Sequence, residues 1–279
     1  MIEFIYVVCI FLLVIGSITD LRTREVPDWL NFSGIFAGLG IRLVWSVSSF
    51  DWSYILEGLT GFGVFLAVGV GMFYLGQWGG GDSKLLMALG ALLGLQFNLS
   101  YITVGFLANL VFFGGMYGLA WSIGLAFANW KKFKKQFIKQ LSKRKRWRAV
   151  IIGFSFGSLV LAFFTPSPLF RLFFIFIAFL VPVLNYLIIA IKSVEAVCMY
   201  TLTKPKDLTE GDWIAKDVYI KGKKVCGPKD LGIEKKQIRQ LIKAKVKSVL
   251  VRSGIPFVPS FLIAFVITLW IGNPLIYLL

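Results

Sequence analysis

Two aspartates lie where an otherwise apolar chain turns polar, and their type and spacing suit hydrolytic chemistry. Asp20 begins the stretch 20-DLRTREVPD-28 at the end of one apolar run, and Asp82 lies in 79-GGGDSK-84 at the start of another. Two carboxylates held close together in a poorly hydrated place cannot both ionise easily, so such a pair shares one proton. The ionised member then takes a proton from water while the protonated member polarises a carbonyl group, as in an aspartic protease. This chemistry requires no metal and no cofactor, and we expect none.

The residues around Asp82 suit a site that a peptide can approach. Gly79, Gly80 and Gly81 provide a backbone without side chains, so the chain can turn sharply and a substrate can come close. Asp82 would stand in the first turn of a helix, where free amides favour a carboxylate, and a simple helix cap fits the same position. Lys84 would steady the ionised form of Asp82, contact substrate, or extend to the lipid headgroups.

The composition excludes several classes of enzyme. The 279 residues include no histidine, which excludes a His-based catalytic triad and a His-ligated zinc site. The three cysteines, Cys9, Cys198 and Cys226, form no CxxC pair, so neither a zinc knuckle nor a disulfide framework is indicated. We attribute the net charge of +16 to membrane topology and attraction to anionic lipid headgroups, with no nucleic acid as a partner.

The chain is predicted to be an all-α polytopic membrane protein with about eight transmembrane helices and a small α+β cytosolic insert. It is 57% hydrophobic, with a mean hydropathy of +0.78, well outside the range of soluble proteins. The first apolar run carries Glu3 and has no small-residue cleavage site, so we expect a retained helix. Runs of about the length that a bilayer needs lie near 2–19, 29–48, 54–76, 81–97, 100–128, 149–165, 169–191 and 256–278.

The basic residues predict the orientation in the membrane. With eight spans, all of the 30 Lys and Arg residues except Arg42 and Arg171 fall on one face. Because basic loops stay in the cytosol, that face is predicted to be cytoplasmic. We therefore expect a multi-pass protein of the cytoplasmic membrane with cytosolic basic loops and with both termini outside.

Changes in composition along the chain predict five segments. They are a catalytic transmembrane core (1–130), a basic cytosolic loop (131–148), additional transmembrane helices (149–191), a cytosolic insert (192–252) and a C-terminal transmembrane helix (253–279). The loop 131–148 is also expected to form a surface helix. Within the insert, Val218–Val225 is typical of a hairpin with glycine in its turn. A helix is predicted from the spacing of Ile238, Leu241, Ile242, Val246 and Val249.

The predicted topology allows Asp20 and Asp82 to meet. Asp20 follows the first span and Asp82 precedes the fourth, so both lie on the cytoplasmic face. The apolar run 81–97 would span about 26 Å as a helix, slightly less than a typical hydrocarbon core. Both carboxylates should therefore lie just below the cytoplasmic headgroups, where an ionisable group at membrane depth indicates function.

The two motifs resemble those of the type IV prepilin peptidases, a family of membrane aspartyl proteases with a GxGD motif. Gly79-Gly80-Gly81-Asp82 with Lys84 is similar to GxGDxK, and 20-DLRTREVPD-28 is similar to the motif of the first aspartate. The similarity is closest to the archaeal branch, the preflagellin and prepilin peptidases. It covers residues 1 to about 130, and more weakly 254-GIPFVPSF-261 and the last helix.

The resemblance implies an endopeptidase that removes the basic leader, or class III signal peptide, from type IV pilin-like or archaeal flagellin precursors. Asp20 and Asp82 would be the catalytic pair, and the partners would be prepilin or preflagellin peptides. Glu25 and Asp28 are the candidates on charge to meet the lysines of the leader. The scissile bond of such substrates lies at the border between the charged leader and a hydrophobic helix, at the depth expected for the aspartates.

The chain also departs from the family pattern. Bacterial members carry paired CxxC motifs and methylate the new amino terminus, so the lack of CxxC predicts a peptidase without N-methyltransferase activity. Eight helices and the insert 192–252 exceed a six-helix core. The additional part would either select a subset of pilins or bind lipid. The sequence indicates neither the precursor nor the oligomeric state.

Two other functions compete with this interpretation. A presenilin-like or signal-peptide-peptidase-like protease also uses GxGD, but here Thr19 rather than tyrosine precedes Asp20, and no Pro-Ala-Leu triplet is present. A membrane transporter would use Asp82 and Lys84 as an ion site. No inverted repeat, which is typical of many transporters, is evident.

Overall fold

The computed structural model describes residues 2–96 and 101–277, and most of them lie in helices. The α-helices in these ranges are α1 (Ile2–Thr23), α2 (Asp28–Ser49), α3 (Ser53–Tyr74), α4 (Gly80–Leu93), α5 (Ile102–Ala128), α6 (Trp130–Lys143), α7 (Lys145–Phe164), α8 (Pro168–Cys198), α9 (Lys235–Lys243) and α10 (Val258–Ile271). The strands are β1 (Tyr200–Thr203), β2 (Trp213–Ile214), β3 (Val218–Ile220), β4 (Lys223–Cys226) and β5 (Val249–Arg252). Short 3₁₀ helices cover Pro205–Asp207 and Pro274–Tyr277.

The helices confirm the predicted polytopic membrane fold with a small α+β insert. Within the described residues, six helices are long and apolar enough to cross a membrane, namely α1, α2, α3, α5, α7 and α8. Helices α4 and α10 have 14 residues each, which corresponds to about 21 Å. Each of the eight predicted apolar runs overlaps one of these helices.

Helices α4 and α10 end earlier than their apolar runs because a glycine follows each of them. Gly94 has a φ of 68° and Gly272 a φ of 73°, and glycine adopts this left-handed region at little cost. Helix α4 therefore stops at Leu93 rather than near residue 97, which lies outside the described residues. Helix α10 stops at Ile271 rather than near residue 278.

The chain divides into two compact units. The first comprises residues 1–118 and 202–279, and the second residues 119–201. In the first unit, buried side chains from α1, α2, α3, α4, α5 and α10 form one apolar core. Large members of this core are Leu13, Phe65, Leu89, Phe106 and Phe265. This core surrounds α4, the helix that begins with the glycine-rich motif.

The second unit contains the end of α5 and helices α6, α7 and α8. Helix α6 has no buried residue, in agreement with the expected surface helix. Helix α8 has 31 residues, with Pro182 inside it, and continues to Cys198. The part of the chain that contains strands therefore begins at Tyr200 rather than at residue 192.

The insert is built from two small sheets and one helix. Strands β1, β5 and β2 form a sheet in that order, and β3 pairs with β4 in an antiparallel hairpin. Lys221 and Gly222 link the hairpin strands with φ values of 47° and 78°, as a tight hairpin turn requires. This confirms the hairpin predicted from the sequence.

The predicted helix of the insert is shorter than its apolar spacing suggests. Helix α9 ends at Lys243, and Lys245 has a φ of 52°, which a continuing helix does not allow. Val249 belongs to β5 and is buried with Leu241 in the core of the insert. The inclusion of Val246 and Val249 in the helix was therefore wrong, because the spacing that suits a helix face also suits a turn followed by a strand.

Helices α3 and α4 pack so closely that their backbones touch. A side chain at Gly61 would collide with the carbonyl oxygen of Gly90, and one at Gly90 would lie 2.7 Å from the Cβ of Phe65. On α2, a side chain at Gly38 would lie 2.7 Å from the backbone nitrogen of Leu92. Small residues allow this approach, since membrane helices associate by close packing rather than by expelling water.

We predict that Gly61→Ala destabilises the protein by about 1–3 kcal/mol, because the added methyl overlaps a backbone atom that cannot move independently. The measurement is thermal unfolding of the purified protein in detergent. Gly63→Ala is the matched control, because a side chain at Gly63, on the same helix, has nothing within 4 Å. Equal unfolding temperatures for the two variants would contradict the described packing of α3 on α4.

Candidate active site at the ends of three helices

Asp20 is a buried carboxylate whose partner lies at the far end of the sequence. It lies near the end of α1 and is 4% exposed. Its Oδ2 accepts a hydrogen bond of 2.9 Å from the backbone N–H of Val258, the first residue of α10. The unpaired amides at a helix N-terminus stabilise an anion, so Asp20 caps α10 from another helix.

Asp82 occupies the first turn of α4 and is partly exposed. Its Oδ2 accepts a hydrogen bond of 3.0 Å from the N–H of Gly79, which precedes the helix. An acidic side chain in the first turn that binds back to the capping residue is a common way to begin a helix. The arrangement agrees with the interpretation of Asp82 as a helix cap, and the side chain stays partly exposed.

The two aspartates lie close enough for their carboxyl groups to interact electrostatically. The segments that carry them also touch directly. The Nδ2 of Asn31 donates to the carbonyl oxygen of Gly81 at 3.4 Å, and Lys84 Nζ lies 2.6 Å from Asp28 Oδ1. The structure thus brings the motif of Asp20 and the motif of Asp82 together.

The glycines before Asp82 have different surroundings. A side chain at Gly81 would lie 3.1 Å from the backbone nitrogen and Cβ of Val26, so this position favours glycine for close packing between the two motifs. A side chain at Gly79 or Gly80 would meet ordinary contacts at 3.5 and 3.9 Å. At those two positions, the packing leaves room for a small side chain.

Lys84 forms an ion pair with Asp28, and its Nζ also lies 5.5 Å from the ring centre of Phe32. Both members of the pair are partly exposed, so it adds little stability. It does connect the first turn of α4 with the first residue of α2.

Glu25 is exposed on the loop between α1 and α2. Its negative charge affects a carboxyl group of the insert. Asp212 of the insert has a raised pKa, because it is partly buried and because Glu25 adds negative charge nearby. The backbone N–H of Thr209, which donates to Asp212 at 2.8 Å, opposes this shift. Acidic side chains of the first motif and of the insert thus lie near each other.

Arg42 holds the opposite end of α4 and was counted from the sequence only as a charge. It is 2% exposed. Its Nε donates to the carbonyl oxygen of Leu92 at 2.9 Å, its Nη2 donates to that of Leu93, and its Nη1 lies 3.2 Å from Glu57 Oε2. These bonds satisfy the last carbonyls of a short helix, which otherwise have no partner inside α4.

Three further groups support the site but were missed in the sequence. They are the N–H of Val258, the amide of Asn31, and the hydroxyl of Ser83, which donates to the carbonyl oxygen of Gly69 at 2.9 Å. Polar residues inside apolar helices were the available signal for Asn31 and Arg42. No local pattern indicated the role of the Val258 amide.

Among residues 2–96 and 101–277, no cluster of His, Cys, Asp or Glu could hold a metal ion. The candidate site therefore presents two aspartate carboxylates at helix ends, each bound by a backbone N–H.

The segment that carries both aspartates is similar to known proteins. Residues 6–123 match the profile of the type IV leader peptidase family. It is 43% identical over 81 residues to a preflagellin peptidase of Methanocaldococcus jannaschii, which covers 29% of this chain and 34% of that protein. It is 34% identical over 106 residues to a preflagellin peptidase of Methanococcus maripaludis, which covers 38% of this chain and 45% of that protein.

The chain thus spans less than half the length of these curated relatives. No solved structure matches the chain. The matched residues 6–123 include Asp20 and Asp82 but not the insert or α10.

We predict that Asp20→Ala is less stable than Asp20→Asn by about 1–3 kcal/mol, because alanine leaves the buried N–H of Val258 without an acceptor. Asparagine keeps a side-chain oxygen at that position, and both replacements are neutral, so the comparison isolates the hydrogen bond. Thermal unfolding of the two purified variants gives the difference. If both variants unfold at the same temperature, Asp20 does not cap α10.

Proposed function

We propose that the protein is a membrane aspartyl endopeptidase that removes the basic leader from type IV pilin-like or archaeal flagellin precursors. The observation that carries this proposal is the contact between the two aspartate motifs, in which Lys84 pairs with Asp28, while Asp20 and Asp82 are each held by a backbone amide. The family of residues 6–123 and the names of the relatives support the same activity.

In the proposed mechanism, Asp20 and Asp82 share one proton. The ionised carboxylate accepts a proton from a water molecule, whose oxygen attacks the scissile carbonyl carbon. The protonated carboxyl group donates a hydrogen bond to the carbonyl oxygen and stabilises the charge that develops there. When the C–N bond breaks, the leaving nitrogen takes up a proton from the pair, which restores the starting state.

The proposed substrate is a charged leader followed by a hydrophobic helix. Glu25 is exposed and beside Asp212, so it is available to the lysines of a leader. Asp28 is engaged by Lys84 and would have to exchange this partner to bind one. We propose that Gly79, Gly80 and Gly81 shape the site, because their backbone carries no side chains.

The proposed orientation places the site at the cytoplasmic membrane face. Arg22 and Arg24 lie at or just after the end of α1, and Lys84 lies in the first turns of α4. Basic residues next to membrane spans are enriched on the cytosolic side. Both termini would then lie outside, in a multi-pass protein of the cytoplasmic membrane.

Cleavage of a precursor tests the proposed activity. We predict that co-expression with a preflagellin converts the precursor to a shorter product, and that Asp20→Asn and Asp82→Asn each abolish the conversion. Each variant loses either the acid or the base of the pair, which contributes at least about 100-fold to the rate. Gel mobility measures the leader loss. Mass spectrometry of the product tests the further proposal that the new amino terminus stays unmethylated.

Asp51→Asn is the matched control for these two variants, because Asp51 lies on the exposed loop between α2 and α3 and should leave cleavage unchanged. Cleavage at the wild-type rate by Asp20→Asn or Asp82→Asn would refute the proposal that these two residues are the catalytic pair. An intact precursor in every lane would refute the activity and favour a transporter. Cleavage inside the hydrophobic helix, rather than at its border, would favour a presenilin-like protease.

We also propose that α6 binds anionic lipid headgroups. Neighbouring aromatic rings follow the helix, with Phe133 5.8 Å from Trp130 and 5.6 Å from Phe137 between ring centres. Exposed lysines flank these rings, namely Lys131, Lys132, Lys134, Lys135 and Lys139. Aromatic rings at headgroup level with lysines beside them are typical of a helix that lies on an anionic membrane surface.

Thermal unfolding in nanodiscs tests this surface. We predict that phosphatidylglycerol stabilises the protein relative to phosphatidylcholine and that changing Lys131, Lys134 and Lys135 to Gln removes most of the gain. Each lysine near an anionic surface contributes about 1 kcal/mol. The control changes three exposed lysines of the insert, Lys204, Lys206 and Lys229, to Gln. The same loss in both triple variants would mean that net charge, rather than α6, determines the effect.

A further inference from the structure

The insert contacts the turn that leads to Asp82. Trp213 of β2 lies edge-on to Phe73 at the end of α3, with ring centres 6.4 Å apart and an interplanar angle of 77°. A side chain at Gly76 would lie 3.2 Å from the indole carbon Cζ3 and 3.3 Å from Cη2. The indole therefore packs directly against the backbone of the turn at Gly76.

This turn has little freedom to move without moving Asp82. Only residues 75–79 separate α3 from α4, and the last of them, Gly79, donates the hydrogen bond that holds Asp82. Phe73 is also near the start of α4, since a side chain at Gly80 would lie 3.9 Å from its ring. Trp213 thus contacts the turn at Gly76 and also Phe73, whose ring lies beside the start of α4.

The same small sheet is connected to the partner of Asp20. Strand β2 pairs with β5 in the register Trp213 to Arg252, and the N–H of Ala215 donates to the carbonyl oxygen of Leu250 at 2.8 Å. Residues 253–257 then join β5 to α10, whose first N–H binds Asp20. Two neighbouring strands of the insert are therefore linked to the two aspartates. Strand β2 packs on the turn before Asp82, and β5 is connected through the chain to α10, which binds Asp20.

We propose that the insert is a brace that sets the separation of the two carboxylates, and that Trp213 is its positioning residue on the Asp82 side. Trp213 acts through the turn and not on the substrate. The catalytic consequence rests on the proposed peptidase function, whereas the structural consequence does not. The interaction by which two carboxyl groups share a proton depends steeply on the distance between them. A loose turn would therefore weaken this interaction even in a folded protein.

Pulsed electron paramagnetic resonance on the full chain in nanodiscs measures the separation directly. Spin labels are attached at Leu21→Cys and Gln77→Cys, both exposed positions beside the two motifs, in a Cys198→Ser background, since Cys9 and Cys226 are buried. We expect Trp213→Ala to broaden the distance distribution between the labels.

Two further variants control this measurement. Trp213→Phe keeps an aromatic ring on the turn and should retain most of the narrow distribution. Tyr219→Ala removes an exposed aromatic residue from the hairpin of the same insert and should leave the distribution unchanged. An unchanged distribution in Trp213→Ala, or equal broadening in Tyr219→Ala, overturns the proposal.

Kinetics with a peptide that joins a basic leader to a hydrophobic helix give the second readout. A displaced carboxylate should lower kcat by about 10- to 100-fold in Trp213→Ala with little change in KM, and Trp213→Phe should recover most of the rate. A raised KM at constant kcat would instead make the insert a substrate-binding element and refute the brace. If the wild-type protein leaves the peptide intact, the peptidase proposal fails, and the spin-label distances still decide whether Trp213 holds the turn.

Discussion

A carboxylate among apolar helices is costly unless nearby donors replace the water that it loses. In this protein, the ends of helices supply those donors. Asp20 accepts the first N–H of α10, and Asp82 accepts the N–H that precedes α4. The ends of α1, α4 and α10 must therefore meet at one place, and this requirement determines how the first unit is packed around its core.

Helix α4 is fixed at both ends, which explains how a short helix can hold Asp82 in a defined position. At its start, the hydroxyl of Ser83 binds the carbonyl oxygen of Gly69 on α3. At its end, Arg42 donates to the carbonyls of Leu92 and Leu93. Burial of the guanidinium group is offset by these acceptors and by Glu57. Tight backbone contact along α3 completes the support, so that Asp82 is held by packing as well as by hydrogen bonds.

The part of the chain that resembles known peptidases does not contain all the groups that support the site. Residues 6–123 carry both aspartates, but the N–H that binds Asp20 belongs to α10, and the indole that packs on the turn before Asp82 belongs to the insert. The insert and α10 are therefore in physical contact with the matched residues 6–123. Through these contacts, segments outside the matched residues can influence the position of both aspartates.

The sequence by itself determined the features that depend on neighbouring residues. Its apolar runs predicted the helices, its glycines predicted the hairpin turn, and its two acidic motifs predicted which residues form the candidate site. Tertiary structure decided the partners of those residues, since Asp20 binds Val258 across 238 positions of sequence and Arg42 reaches α4 from α2. It also placed Val249 in a strand, although its spacing matched a helix. The physical reason is that local periodicity reports which face of a segment is apolar, whereas the choice of a distant donor depends on where helices end and on how closely their backbones approach.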